Sequence, residues 1–207
     1  ADAFIRRILV HGLNALHIVI GDDFRFARKR EGTLYGLMRD GNALDYSDER
    51  VPCVNVDGIR VSSTVIRDAL EAGELARATA LLGRPYRMSG SIVRGRRVGR
   101  SLGYATANVD LRRRQSAVTC IYAVRVHGLP VGPIEGVASV GTRPTFDLTK
   151  PLLEVHLFDF DREIYGEYIH VDFIEHLRDE EKFASVDDLV AQMKIDEENA
   201  RSALDAH

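Results

Sequence analysis

Beyond Tyr86 the chain stops reading as helix and begins to alternate, and that change of period limits the folds open to it. Residues 88–93, 120–126, 135–140, 152–158 and 168–173 carry apolar side chains at alternate positions or in short β-branched runs, divided by glycine-bearing turns. A period of two puts successive side chains on opposite faces of a strand. Several such short strands predict an antiparallel sandwich or barrel. A helix is expected over 186–204, where Val186, Leu189, Val190, Met193, Ala200 and Leu204 fall at helical spacing and would face a core.

Ahead of the break the pattern is different. Residues 2–13 predict an amphipathic helix with Phe4, Ile8, Leu9 and Leu13 on one side. A β-branched strand over 17–20 runs into Gly21-Asp22-Asp23, a short helix covers 33–40 with a turn at Gly41-Asn42, and a strand over 51–56 carries Pro52 near its start. Ser62-Ser63-Thr64 opens a helix that continues through Ala72 and stops at Gly73, and a further helix spans 75–82. Helix and strand in this order belong to an α/β sheet. The chain therefore divides into an α/β module, 1–84, and a β module with its helix, 85–207.

The densest chemistry lies between the first two strands of the β module. Gly95 to Asn108 reads GRRVGRSLGYATAN, with Gly95, Gly99 and Gly103 interleaved with Arg96, Arg97 and Arg100. Glycines let a backbone approach a ligand closely, and their N–H groups beside guanidinium groups suit a polyphosphate. Thr106 and Asn108 are two apart and share a face in an extended segment. A hydroxyl and an amide oxygen there are hard ligands of the kind Mg²⁺ takes beside substrate phosphates. No Gly-Lys-Ser/Thr follows, so this is not a Walker A loop. A solvated basic hairpin is the plainer reading of the same residues.

The net charge of −3 gives no global attraction to nucleic acid or to an anionic membrane, so an anion site has to be local. The arginines also lack the interleaved aromatics of a single-strand binder. No stretch of about 18 apolar residues is present. Cys53 and Cys120 lie far apart without metal-ligand spacing, which makes a reduced, cytoplasmic setting the default.

Gly99-Arg100-x-Leu102-Gly103-Tyr104-Ala105-Thr106-Ala107-Asn108 resembles the GRxLGFPTAN signature of the flavokinase (riboflavin kinase) family. Gly141-Thr142-Arg143-Pro144-Thr145-Phe146, Leu153-Glu154-Val155-His156-Leu157-Phe158-Asp159-Phe160, Tyr165-Gly166, Leu177-Arg178 and Lys182-Phe183 extend the likeness. Upstream, Gly21-Asp22-Asp23-Phe24-Arg25-Phe26 and Ser62-Ser63-Thr64-Val65-Ile66-Arg67 are similar to the adenylyltransferase half of bifunctional bacterial riboflavin kinase/FAD synthetases.

The resemblance implies a truncated Rossmann-like nucleotidyltransferase remnant followed by an antiparallel Greek-key β-barrel with a C-terminal helix. The implied reaction is ATP- and Mg²⁺-dependent phosphorylation of the riboflavin 5′-hydroxyl, giving FMN and ADP. Complete bifunctional enzymes go on to FAD. A flavin-nucleotide-binding module without turnover is the alternative, and the implied partners are small molecules, with neither nucleic acid nor membrane.

By resemblance Glu154 takes the hydroxyl proton, and Gly95, Arg97, Gly99, Arg100, Gly103 and Asn108 hold ATP. Thr106 and Asn108 hold the metal, and Arg178, in a flap over 177–183, meets the flavin. Asp23, Phe24, Arg30, Ser62, Ser63, Thr64 and Arg67 would be the adenylyltransferase remnant. The Gly-x-Phe-Asp-Gly-x-His-x-Gly-His phosphate motif of that half is not in the sequence, so FMN without FAD is the expected product. The chain departs from the family pattern in four places. Ala105 replaces a proline, Cys120-Ile121 a Gly-Val, and Ala27 a glycine, while residues 112–116 lack expected prolines. Cysteine enters a positive-φ conformation at greater cost than glycine.

Overall fold

The computed structural model describes residues 1–41, 43–95, 103–112, 116–144 and 149–207, and the chain divides into two units, Ala1–Val61 and Ser62–His207. In the first, α1 (Asp2–Phe4) runs directly into a π-helical turn, Ile5–Val10. The His11 and Leu13 N–H groups donate to the Arg6 and Ile8 carbonyls, each at 2.9 Å and five residues back. This wider turn rotates later side chains off the α-helical stripe. Ile5, where the turn begins, is buried, whereas Ile8 and Leu13, expected on the core side, are exposed.

β1 (His17–Gly21) is followed by the hairpin of β2 (Arg25–Phe26) and β3 (Gly32–Thr33), then by α2 (Leu34–Gly41). β4 (Ser47–Val51) then lies parallel to β1, which makes a small βαβ crossover. The strand expected over 51–56 thus lies earlier and ends at Val51, because Pro52 has no N–H to continue a ladder. β5 (Asn55–Val56) and β6 (Ile59–Arg60) form a separate hairpin. Ile5, Ile20, Phe26, Leu37 and Tyr46 make the core of this unit, and the Tyr46 hydroxyl donates to the Leu37 carbonyl at 2.6 Å. The turn anticipated at Asn42 lies outside the described residues.

The second unit begins with α3 (Ser63–Glu71) and α4 (Leu75–Leu82). Ser62 caps α3, its Oγ accepting from the Val65 N–H at 3.3 Å, and Gly73 and Gly83 end the two helices at φ of 74° and 69°. Both helices bury apolar residues, Leu70, Leu75 and Ala78 among them, in the same cluster as the strands that follow.

Those strands are β7 (Tyr86–Val93), β8 (Thr106–Asp110), β9 (Cys120–His127), β10 (Ile134–Pro144), β11 (Thr149–Leu157) and β12 (Tyr168–Arg178). They close into a barrel in the order β10-β11-β8-β7-β12-β9, every pair antiparallel. Within that order β12-β9-β10-β11 is a Greek key. Alternation fills the interior: Met88, Val109, Tyr122, Val124, Val140, Leu153, Val155, Val171 and Phe173 are each at most 3% exposed. Outside the barrel α5 (Val186–Asp205) lays Ala200 and Leu204 on Ala123 and Phe158. Val186 is exposed, and the turn before Ala200 buries Asp196 instead of another apolar residue.

Two departures from the family pattern carry backbone cost. Cys120 has φ 97° and Ala27 has φ 64° with ψ −177°, a region that favours glycine. Relief of such strain outweighs the extra unfolded-state freedom of glycine, so Cys120→Gly is expected to stabilise the barrel by about 1 kcal/mol. Urea melts of the two proteins check this; a Gly variant equal to or weaker than the parent would show that the thiol's packing dominates.

Candidate active site

β8 and β11 are neighbours, with Thr106 opposite His156 and Asn108 opposite Glu154. Ala107, Val109, Leu153 and Val155 point into the barrel and are buried, so alternation turns Thr106, Asn108, Glu154 and His156 together onto its outer face. On the other side of β11, Glu154 pairs with Ser139 of β10. Directly opposed side chains in such ladders have Cβ atoms about 4.5–5.5 Å apart. Residues 46 positions apart in sequence are thereby brought within reach of one small ligand.

Asn108 faces outward yet is only 7% exposed. What covers it is the segment leaving β7: a Cβ at Gly95 would collide with the Asn108 amide. Glycine is therefore required there for close approach. Among the described residues the Asn108 Oδ1 is the one buried side-chain acceptor without a hydrogen-bond partner. A buried acceptor left unpaired costs about 1–3 kcal/mol, and a cation or a donor on a bound ligand would remove that cost. With the Thr106 hydroxyl on the same face, the donor set fits Mg²⁺, which prefers hard oxygens.

At the Thr106 end, a cavity of about 330 Å³ is lined by Ile92, Gly103, Thr106, His156, Phe160 and Tyr165, among others. Arg94 stands over the Tyr165 ring at 5.5 Å. His156, on the same outward face as Glu154, is tied to the segment that leads into β8. It is half-buried; its Nδ1–H donates to the Ala105 carbonyl at 2.9 Å, and its ring meets Tyr104 edge-on at 5.1 Å. That bond braces the backbone just before Thr106, where the family's proline is missing. Burial, helped by the nearby Glu197 and Glu198 carboxylates, pushes the Tyr104 hydroxyl up from its ordinary pKa.

The far side of Glu154 is approached by residues after β12. A Cβ at Gly141 would collide with the Glu180 carboxylate, so Glu180 reaches across β10. Its neighbour Arg178 is engaged elsewhere. Its Nε and Nη2 form a two-pronged ion pair with Asp196 at 2.8 and 2.7 Å, its Nη1 donates to the Asp179 carbonyl, and Phe183 lies against its guanidinium. Gln192 also donates to Asp196. The spacing of α5 puts Asp196 on the same stripe as Met193 and Ala200, and an acid at that core-facing position was the available signal.

Arg97, Gly99 and Arg100 lie outside the described residues, while Gly103 turns at φ 84°. In the first unit Asp23 is ion-paired with Arg60 at 2.5 Å, and Phe24 stacks on Phe26 at 5.6 Å. Arg30 is exposed with φ 58°. At the start of α3, Ser62 is the N-cap, and Ser63, Thr64 and Arg67 are exposed around the free N–H groups.

The riboflavin kinase (flavokinase) family profile matches residues 82–204, and the FAD synthetase profile matches residues 1–65. A bifunctional riboflavin kinase/FMN adenylyltransferase of Escherichia coli (strain K12) is 43% identical over 201 residues, 97% of this chain and 64% of that protein. The Haemophilus influenzae protein of the same description is 42% identical over 98% of this chain and 66% of its own length. A crystal structure from Streptococcus pneumoniae, described as a macrolide-efflux protein, superposes with a TM-score of 0.72 at 37% identity, covering 95% of this chain and 64% of that one. The chain thus spans somewhat less than two thirds of the length of these relatives. With a Greek-key barrel, a Gly-loop-Thr-x-Asn strand and a match over most of that barrel unit, the chain belongs to the riboflavin kinase (flavokinase) family.

Proposed function

We propose that this chain transfers the γ-phosphoryl group of ATP to the 5′-hydroxyl of riboflavin, giving FMN and ADP. The observation that carries the reading is the pairing of Glu154 with Asn108, whose buried Oδ1 lacks a partner. Along the outer face the order is cavity, Thr106 with His156, Asn108 with Glu154, Ser139 beside Glu154, and then Gly141 with Glu180 over it. A nucleotide seated in the cavity would lay its phosphates over Thr106 and Asn108, with the flavin alcohol next to Glu154. Mg²⁺ held by those two side chains would neutralise charge on the β- and γ-phosphates.

Phosphoryl transfer asks the protein mainly for placement and charge compensation. Gly95, Gly103 and the arginines at 97 and 100 would supply backbone N–H groups and positive charge to the phosphates, and Glu154 would orient the hydroxyl and accept its proton late. Arg178 would serve the flavin by holding the 177–183 segment against α5, since Asp196 occupies its guanidinium. The unpaired Cys53 and Cys120 fit a cytoplasmic setting.

The functional division is placed at residue 84, beyond the α3–α4 pair. In the first module Asp23, Phe24 and Arg30, with Ser62, Ser63, Thr64 and Arg67 at the start of α3, are assigned to FMN adenylylation in complete bifunctional enzymes. Incubation of the 207-residue chain with riboflavin, ATP and Mg²⁺, followed by chromatography, should yield FMN without FAD. Tight flavin binding with no FMN formed would reduce the protein to a binding module, and appreciable FAD would overturn the division of labour.

Gly95→Ala offers a finer test. The added methyl has to displace the Asn108 amide, so affinity for Mg·ATP is expected to fall about tenfold, the equivalent of one lost charge-assisted contact. Calorimetry with a non-hydrolysable ATP analogue measures it. Unchanged affinity would separate Asn108 from the nucleotide.

A further inference from the structure

Three side chains with metal-ligating atoms converge where β9 begins and β12 ends. The Cys120 Sγ lies 3.3 Å from the Asp179 Oδ1, the His176 Nε2 lies 3.4 Å from the same oxygen, and one ligand atom of each residue falls within 4.8 Å of the others. Tetrahedral zinc binds sulfur at about 2.3 Å and nitrogen or oxygen at about 2.0–2.1 Å, which sets neighbouring ligand atoms about 3.3–3.6 Å apart. The two measured separations already match that spacing. Cys120 and His176 are half-buried, while Asp179 is exposed and free to adjust.

We propose that Cys120, His176 and Asp179 form a binding site for a zinc-class transition metal, distinct from the Thr106–Asn108 pair and closed by a water as fourth ligand. Thiolate, imidazole and carboxylate together select Zn²⁺ or Co²⁺ over Mg²⁺. The metal would bridge elements that the bulges of β12 leave loosely registered, since pairing with β9 shifts between Phe173 and Glu175 and again between His176 and Arg178. It would also fix Asp179, and with it the neighbouring Glu180 that reaches over Gly141. The His176 ring is braced for this by an edge-on contact with Tyr122 at 5.3 Å, and the buried Tyr122 hydroxyl is held by the Thr119 carbonyl at 2.6 Å. The site needs the cysteine at the position where the family usually has glycine, so it is a property of this chain and not of the fold.

The test uses the full chain carrying Cys53→Ser, so that Cys120 is the sole thiol. Titration with Co²⁺ alone should produce thiolate-to-cobalt charge-transfer absorption together with the visible bands of a tetrahedral ion, and Zn²⁺ should erase both. Thermal midpoints should climb with Zn²⁺ concentration, as for any ligand of the native state, and should lose that response when Cys120 is replaced. His176→Gln and Asp179→Asn should each weaken cobalt binding by about 10–100-fold or more, the loss that even outer partners of a metal incur.

Cys120→Ser should abolish the charge-transfer band. Should that variant fold poorly, Cys120→Gly serves in its place, because the backbone there favours glycine. No charge-transfer band on Co²⁺ addition overturns the site. So does a band that survives loss of Cys120, or one that is indifferent to both His176→Gln and Asp179→Asn.

Discussion

Glu154→Gln is expected to lower turnover by about 10²–10⁴-fold, the usual worth of a positioned proton acceptor, while riboflavin and ATP bind nearly as before. A primary alcohol is far too weak an acid for a carboxylate to ionise in advance. In a loose transition state the proton leaves late, once the oxygen has begun to bond phosphorus, and a carboxylate is then basic enough. Glutamine keeps the size and a hydrogen-bonding oxygen, so the strand geometry opposite Asn108 and Ser139 should persist. The interaction removed is made mainly in the transition state, which lowers kcat and kcat/KM together and leaves affinity alone. Turnover measured beside flavin binding by fluorescence quenching decides the matter. Near-parental turnover, or parallel loss of binding and turnover, would reassign the proton to another group.

How much of this arrangement was legible in the sequence depends on the distance over which each feature is determined. Caps and periods are local. Ser62 and Gly73 marked the start and end of α3, and β7, β9 and β11 followed from alternation. Features that depend on an irregular backbone were not legible. The π-helical turn moved Ile8 and Leu13 off the core face, and the bulges in β12 broke the alternation that would have carried the strand past Phe173 to Arg178. β8 is five residues long with two buried apolar side chains beside Asn108, too little for a periodic signal.

The site was the least local of all. Spacing put Thr106 and Asn108 on one face, but only the β8–β11 register sets that pair against Glu154 and His156. The family resemblance supplied that link before the geometry did. It did not supply the partner of Arg178, because the buried Asp196 that engages it belongs to a helix whose core-facing side is read from its apolar residues alone.

The second large effect is expected at Thr106. Thr106→Val keeps the β-branched shape that the strand prefers and removes only the hydroxyl, so the barrel should be unaffected: Ala107 and Val109, not Thr106, fill its interior. On the outer face the change leaves Asn108 as the remaining hard-oxygen donor of the pair. Correct placement of a divalent ion over transferring phosphates is worth several kcal/mol, so turnover should fall by about 10²-fold or more. A hydroxyl that acts only as a strand residue would give a different result. Its loss would leave the magnesium titration in place, whereas loss of a ligand should move half-maximal activity to higher Mg²⁺. The same shift should appear without turnover, as weaker Mn²⁺ binding to the ATP-bound protein read by electron paramagnetic resonance. Thr106→Ser restores the oxygen and should recover both readouts, since the methyl contributes to packing and not to coordination. A titration midpoint unchanged in Thr106→Val, or a failure of Thr106→Ser to restore it, would take Thr106 out of the metal site and leave Asn108 to be explained alone.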